Sequence, residues 1–222
     1  MDLELDQVEV RVLGALIEKE VTTPEYYPLT LNALTAACNQ KSNRDPVVGF
    51  DEKTVVRALD SLRDRELIRM VTGADMRVPK YRQVFTEVLG LSPRQSATVC
   101  VLMLRGPQTV GEIRGRTNRL YDFDGLEEVE EAIAELNARD DGPLIEKLPR
   151  QAGRKEPRFA HLLAGAVEVA EEEDAEARVE QATLEVRGED QRLAQLEAQV
   201  NSLRAELAAV RADFQQFREQ FE

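Results

Sequence analysis

Cationic and hydroxyl side chains in the first third of the chain have the spacing expected of a nucleic-acid interface. In helix-turn-helix geometry the third helix enters the major groove with its N-terminal residues nearest the bases, and neighbouring segments contact phosphates. The candidate base contacts lie on one predicted helix and are Lys53, Thr54, Arg57 and Ser61. The candidate phosphate contacts lie before this helix and in a hairpin after it, and are Lys41, Ser42, Asn43, Arg44, Arg77, Lys80 and Arg82.

The same helix also carries residues that oppose this interpretation. Asp60 and Asp64 share its outward face, where carboxylates repel an approaching phosphate. Arginine and lysine on an outward helix face are also often no more than solvated residues. Nucleic-acid binding and plain solvation are therefore equal alternatives for this helix.

A later helix, within FDGLEEVEEAIAELNAR, is acidic where a recognition helix would need cations, at Glu127, Glu128, Glu131 and Glu135. We do not expect this helix to enter a groove, because each carboxylate close to a phosphate costs about 1 kcal/mol even in water. Basic residues flank it, at Arg114, Arg116, Arg119, Lys147, Arg150, Arg154, Lys155 and Arg158. Either the second predicted hairpin, the wing that carries Lys147 to Arg158, alone contacts DNA, or these arginines meet the acidic helix of another domain or subunit.

Catalytic motifs are missing from the sequence. His161 is the only histidine, so a histidine metal site or a Ser/His/Asp arrangement would have to be built around one residue in a predicted hairpin. The chain has no GxGxxG, GxxxxGK[ST] or HExxH motif and no paired cysteine motif. We therefore expect no enzymatic activity, no cofactor and no metal.

Hydrophobic spacing predicts the elements that position the basic residues. Residues 3–20 carry apolar side chains at steps near 3.6, which indicates a helix with a broad buried face. Thr30 and Asp51 are suited to cap a second and a third helix, and residues 68–84 alternate loosely around a glycine, as a hairpin would. Three helices and a hairpin are the order of a winged helix, which we assign to residues 1–88.

The pattern then repeats over residues 89–165. Ser92 caps an apolar helix that ends at Gly106, Thr109 opens the next helix, and a third helix and a second hairpin follow. The apolar positions of the two third helices correspond one to one: Val55, Ala58, Leu59 and Leu62 match Val129, Ala132, Ile133 and Leu136. The predicted fold is therefore mainly α with small β-hairpin wings, in two tandem winged-helix domains.

The C-terminal region has a different composition. Residues 166–192 read as an acidic helical linker, and residues 193–222 repeat apolar side chains in steps of three and four, as in a long coiled-coil helix. We expect a homodimer through this seam, although the helix could instead fold back on its own domains. The seam residues are Leu193, Leu196, Val200, Leu203, Leu207, Val210, Phe214 and Phe217.

Composition indicates the compartment of the protein, the state of its cysteines and how far its charge bears on nucleic-acid binding. The net charge is −13, and 15 acidic against six basic residues fall in residues 165–222, so the acidity does not decide whether the earlier domains bind nucleic acid. No secretory leader or long apolar run is present, and we expect a cytoplasmic protein without membrane contact. Cys38 and Cys100 lie among apolar neighbours and are expected to be buried thiols, not a disulfide.

Residues 1 to about 165 resemble the bacterial YceH family. The resemblance rests on the opening stretch through CNQKSNRDPV, which is its most specific part, on DEKTVVRALDSLRDRELI, and on EPRFAHLL. It implies a tandem winged-helix fold and no assigned activity, and the acidic tail lies outside it.

Two functions are open on this basis. The first is a DNA-binding protein, such as a transcriptional regulator, that contacts double-stranded DNA through the first domain and the second wing. The alternative is an interaction adaptor on a winged-helix scaffold, whose acidic second domain and tail dock onto a basic protein partner.

Overall fold

A computed structural model describes residues 4–73, 77–149 and 156–165, all within one compact unit, Met1–Val169. The predicted linker and the coiled-coil seam from Leu193 to Phe217 lie outside the described residues, as do Arg150, Arg154 and Lys155. The described part of the chain holds seven α-helices and two small antiparallel sheets.

The first three helices begin at side-chain caps. Helix α1 spans Gln7–Thr22, and it starts four residues later than the predicted helix because Asp6 and Glu9 form a reciprocal capping box. A two-residue strand β1, Leu29–Thr30, leads into α2, Leu31–Cys38, where the Thr30 hydroxyl accepts a bond from the Ala33 N–H. Helix α3 spans Glu52–Asp64 and is capped by Asp51. The two predicted caps, Thr30 and Asp51, are confirmed.

The predicted hairpin forms strands β2, Ile68–Val71, and β3, Lys80–Gln83, which pair in antiparallel register. Strand β1 adds to the outer edge of β3, giving the order β1-β3-β2. This third strand was not predicted, because two residues are too few to show the alternation that identifies a strand. Its pairing is reinforced at Tyr27, whose hydroxyl accepts a bond from the Gln83 N–H at 2.7 Å.

A short helix α4, Phe85–Val88, joins the first repeat to the second. The second repeat follows the same order, with α5 at Pro93–Arg105, α6 at Val110–Thr117 and α7 at Leu126–Asn137. Ser92 and Thr109 form capping boxes with Gln95 and Glu112, and Gly106 ends α5 at φ +67°, so the predicted boundaries are confirmed. Strands β4, Ile145–Lys147, and β5, Phe159–His161, make the second sheet.

The core is continuous through both repeats because α1 and α5, the first helices of each, pack against one another. Their backbones approach closely at Gly14, where an added Cβ would lie 3.0 Å from Leu104 Cδ2 and 3.2 Å from Met103 Cβ. Cys100 Sγ lies 3.5 Å from the Gly14 carbonyl oxygen across the same contact. The two repeats therefore share one interior, and their sheets are compatible with winged-helix wings.

The apolar faces of these helices pack into that interior. Among the helices within the described residues, none combines the length and the hydropathy that a membrane crossing requires.

Candidate nucleic-acid interface

Helix α3 is strongly amphipathic. Its inner face buries Val55, Ala58, Leu59 and Leu62, each no more than 4 % exposed. Lys53 and Arg57 lie exposed on the outer face, with Thr54 and Ser61 half-buried at its margins. Within the described residues neither Lys53 nor Arg57 forms an ion pair. All four predicted base contacts therefore lie on one helix, and its two cations are available to a ligand.

The acidic residues of α3 differ in how they are compensated. Asp60 pairs with Arg63 at 2.9 Å, so its charge is partly neutralised on the surface of the helix itself. At the N-terminus, the pKa of Asp51 is lowered because Thr54 donates hydrogen bonds to its carboxylate and because Lys53 and Arg57 lie near it. Asp64 stays exposed and opposes phosphate at the far end of the helix.

The β2–β3 hairpin contains one cation that the sequence prediction missed. Arg69 on β2 lies directly opposite Arg82 on β3, so their side chains leave the same face of the sheet. Arg82 is already paired with Glu87, whereas Arg69 and Arg77 are exposed and Lys80 is half-buried. Register across the sheet, which the sequence pattern did not specify, is what would have identified Arg69.

The loop before α3 divides into two parts. Lys41, Ser42 and Asn43 are exposed, but the side chain of Arg44 is 0 % exposed. Arg44 donates to both oxygens of Glu18 and, at 2.9 and 3.2 Å, to the Ala37 carbonyl oxygen. The prediction that Arg44 contacts phosphate is therefore corrected, because the fold uses this guanidinium in its interior.

The three exposed loop residues belong to a surface that includes no residue of α3. They line a cleft of about 530 Å³ together with residues at the C-terminal ends of α1, α5 and α6. The side chain of Asn39 closes the loop at its base by bonding both the N–H and the carbonyl oxygen of Phe50. The structure therefore separates the predicted set into a cleft group, Lys41, Ser42 and Asn43, and a group on α3 and the wing.

The acidic face of α7 is engaged within the second repeat. Arg94 at the start of α5 pairs with Glu131 at 3.2 Å and with Glu135, and Gln95 also donates to Glu135, at 2.9 Å. Glu128 accepts a bond from the Tyr121 hydroxyl at 2.6 Å. The acidic helix thus meets an arginine of its own repeat.

The basic residues around α7 are also partly committed. Arg158 donates to the Pro107 carbonyl oxygen at 2.6 Å and pairs with Glu112 at 3.3 Å. Arg116 lies 3.5 Å from the same Glu112 carboxylate. Lys147 in β4 is exposed.

An apolar groove of about 520 Å³ lies between α7 and the second sheet. Its walls include Val110, Leu126, Ile133 and Phe159, and Leu126 is 48 % exposed. Three carboxylates, Glu130, Glu146 and Glu156, and one cation, Lys147, also line it. Where the third helix of the first repeat presents cations, that of the second borders an apolar surface edged with carboxylates.

The titratable groups suited to catalysis are isolated. His161 lies on β5 opposite Ile145, its Nδ1 has no hydrogen-bond partner, and burial lowers its pKa to about 4. It lines neither the cleft nor the groove. The two cysteines are free and buried, and burial raises the pKa of Cys38 to about 12. In the described ranges, no group of three or more His, Cys, Asp or Glu residues could hold a metal ion.

Comparison with known proteins places the chain in a family without an assigned activity. Residues 5–154 match the family described as "Protein of unknown function, DUF480". UPF0502 proteins of Pelobacter propionicus and Solibacter usitatus are each 52% identical over the whole of both chains. A UPF0502 protein of Opitutus terrae is 55% identical over 171 residues, 77% of this chain and 74% of its own. The full-length matches extend through the acidic tail, beyond the resemblance noted from the sequence, and the chain belongs to the DUF480 family, the YceH-type proteins of unknown function.

Proposed function

We propose that this protein is a tandem winged-helix DNA-binding protein that regulates transcription, and that it binds without catalysing a reaction. Two copies of a three-helix and hairpin unit, joined through α1 and α5, support the tandem assignment. In such a unit the third helix and the wing are the parts that contact DNA.

The observation that carries the proposal is the pair of exposed cations on α3 that form no ion pair with any other residue the structure describes. Lys53 and Arg57 lie in the N-terminal half of the helix, where side chains reach base edges in helix-turn-helix complexes. An arginine can bond guanine through two donors, and a lysine contributes a compact charge. Helix α7 lacks this pattern, because its corresponding face carries glutamates bonded to Arg94, Gln95 and Tyr121.

The wings would supply the contacts to phosphate. In the first wing Arg69, Arg77 and Lys80 are the cations that we assign to this role, since Arg82 is paired with Glu87. We extend the role to Lys147 and, on sequence alone, to Arg150, Arg154 and Lys155 of the second wing. The first unit would therefore read the groove while the second holds the backbone.

We also propose that the C-terminal seam pairs two chains, so that two first units meet two half-sites of DNA. The support is the unbroken heptad spacing from residue 193 onward. Removal of residues 193–222 should convert a dimer into a monomer in light scattering. Equal monomer masses for the full and shortened chains would refute the pairing.

Binding to a random-sequence duplex, measured by fluorescence anisotropy across a salt series, tests the DNA proposal. Affinity should fall steeply with salt, because cations displace condensed counterions from phosphates. Lys53→Ala with Arg57→Ala should weaken binding to this duplex and reduce the salt slope by up to about 2, because two cations are removed from the interface. Arg63→Ala is the matched control, since Arg63 lies on the same helix but is paired with Asp60. No retention of duplex at low salt would refute the proposal.

The second candidate function is a protein-binding adaptor, and the groove beside α7 favours it. An apolar wall with Leu126 at its edge, lined by Glu130, Glu146 and Glu156, suits a basic segment that presents apolar side chains. Such a partner should remain bound to the Lys53→Ala and Arg57→Ala variant and should be lost from Leu126→Lys. The reverse outcome favours DNA binding.

A further inference from the structure

The cleft between the two repeats has a composition that the DNA-binding role does not require. It is lined by residues of α1, of the loop after α2, and of the ends of α5 and α6. Five of its side chains are cationic, Lys19, Lys41, Arg105, Arg116 and Arg119, and one is anionic, Glu18. In a chain with a net charge of −13, this is a local concentration of positive charge.

The single carboxylate of the cleft is already neutralised. Both oxygens of Glu18 accept bonds from Arg44, at 3.0 and 2.6 Å, and Lys19 lies 3.5 Å from one of them. Burial opposes ionisation of this carboxyl, but the two bonds and the charge of Arg44 hold the pKa of Glu18 below its usual value. Glu112, outside the lining, pairs with Arg116 at 3.5 Å. Lys41, Arg105 and Arg119 are therefore the cleft cations that form no ion pair among the described residues.

The fold holds these cations close together at an energetic cost. Arg105 is half-buried, and its pKa is lowered by burial first and then by the charge of Arg116. It is held in place by a hydrogen bond to the Asn43 side-chain oxygen, which belongs to the loop of the other repeat. Like charges brought together in a concave site are best compensated by a bound anion.

The remaining lining favours phosphate on a small organic molecule. Ser42 and Asn118 supply neutral donors, and Leu104 and Leu120 supply an apolar wall. A volume of about 530 Å³ lies within the range of small-molecule sites. The Lys19 side chain is only 18% exposed, so it sits where a small ligand can enter more readily than a rigid duplex.

We propose that the cleft between the two repeats binds a phosphate-bearing small molecule of nucleotide size through Lys19, Lys41, Arg105, Arg116 and Arg119. The two repeats also meet directly here, where the Asp45 N–H donates to the Leu104 carbonyl oxygen at 2.9 Å. A ligand that bridges Lys41 and Arg119 therefore stabilises the contact between repeats. The site is independent of the α3 surface and does not rest on the proposed DNA binding.

Calorimetric titration of the full chain with pyrophosphate and with ATP tests the site, with adenosine as the uncharged comparison. Lys41→Gln with Arg119→Gln removes two cleft cations that form no ion pair within the described ranges, and circular dichroism checks that the variant folds. Lys53→Gln with Arg57→Gln is the control, because it removes the same charge from α3. The cleft variant should lose at least about tenfold in affinity for pyrophosphate or ATP, because two charge-assisted contacts to phosphate are removed, and the α3 variant should not.

Three results would overturn the proposal. The first is no binding of either phosphate compound at millimolar concentration, and the second is an equal loss of affinity in both variants. The third is loss of duplex DNA binding in the cleft variant without any binding of the small phosphates, which would assign the cleft to the DNA backbone. Loss of duplex binding in the α3 variant alone leaves the cleft proposal standing, so the two proposals fail separately.

Discussion

Arg44 directs both terminal nitrogens of its guanidinium at the carboxylate of Glu18, at 3.0 and 2.6 Å, and this ion pair joins the loop after α2 to the last turn and a half of α1. The same guanidinium also bonds the Ala37 carbonyl oxygen near the end of α2. One side chain thus connects three segments of the first repeat beneath the cationic cleft. Its neighbour Asp45 bonds α5, so the loop also reaches the second repeat.

Replacing Arg44 by alanine should destabilise the protein by about 3–5 kcal/mol, because the Glu18 carboxylate would lose both of its short bonds and keep only the 3.5 Å contact with Lys19. Arg44→Lys should recover only part of the loss, since an ammonium group cannot make the two parallel bonds. Chemical denaturation followed by circular dichroism measures both effects. For comparison, Arg63→Ala breaks an exposed pair and should cost less than about 1 kcal/mol. A loss that small for Arg44→Ala would show that the buried pair contributes little.

Substitution of Gly14 tests the contact between α1 and α5. An added Cβ would lie 3.0 Å from Leu104 Cδ2, so the larger side chain of Gly14→Val should push the two helices apart and cost about 1–3 kcal/mol. Thermal unfolding should show the loss as a lower Tm. Gly115→Ala in α6, where nothing lies within 4 Å, should instead raise stability by about 0.5–1 kcal/mol. Equal stability of the two variants would show that α1 and α5 do not approach each other this closely at Gly14.

The half-buried His161 makes stability depend on pH. The pKa of His161 is lowered by burial from 6.5 to about 4, so between these values the unfolded chain binds a proton that the folded chain does not. Stability should therefore decrease as the pH falls from 6.5 to 4, by up to about 3 kcal/mol, and this component should level off below pH 4. His161→Phe should reduce that slope in denaturation curves measured at several pH values. An unchanged slope in the variant would show that His161 is not the group responsible.

The two cysteines should be unreactive in the folded protein. Both are fully or almost fully buried, and burial raises the pKa of each thiol, that of Cys38 to about 12, so little thiolate is present at neutral pH. A thiol-specific reagent should modify them slowly under native conditions and at once in guanidinium. Modification of a single cysteine in the native state, confirmed by mass spectrometry, would identify local opening around that residue.

Local features of the structure were predictable because their partners are close in the chain. The caps Thr30, Asp51 and Thr109 bond residues three positions away, so residue type and spacing were sufficient to place the helix starts. The buried face of α3 follows from apolar spacing at 3.6 residues per turn. Strand β1 was missed because its two residues carry no period of their own.

The candidate site was predictable only in part. The cations of α3 were found because they lie on the polar side of a clear amphipathic pattern. Arg44 was predicted to contact phosphate at the surface but is buried. Its partner Glu18 is 26 residues away, and the two meet only after folding. Arg69 was missed because its alignment with Arg82 depends on strand register.

Taken alone, the sequence determined the family, the order of helices and hairpins, and which face of each helix is apolar, since all of these depend on residue type and short-range spacing. Tertiary structure decided which charged residues remain available. Whether a cation such as Arg44 is buried against a carboxylate, or one such as Lys53 stays exposed, depends on contacts between residues far apart in the chain. The same contacts brought α1, α5 and α6 together around the cleft, where Lys19, Arg105 and Arg119 meet although 86 and 14 residues separate them in turn.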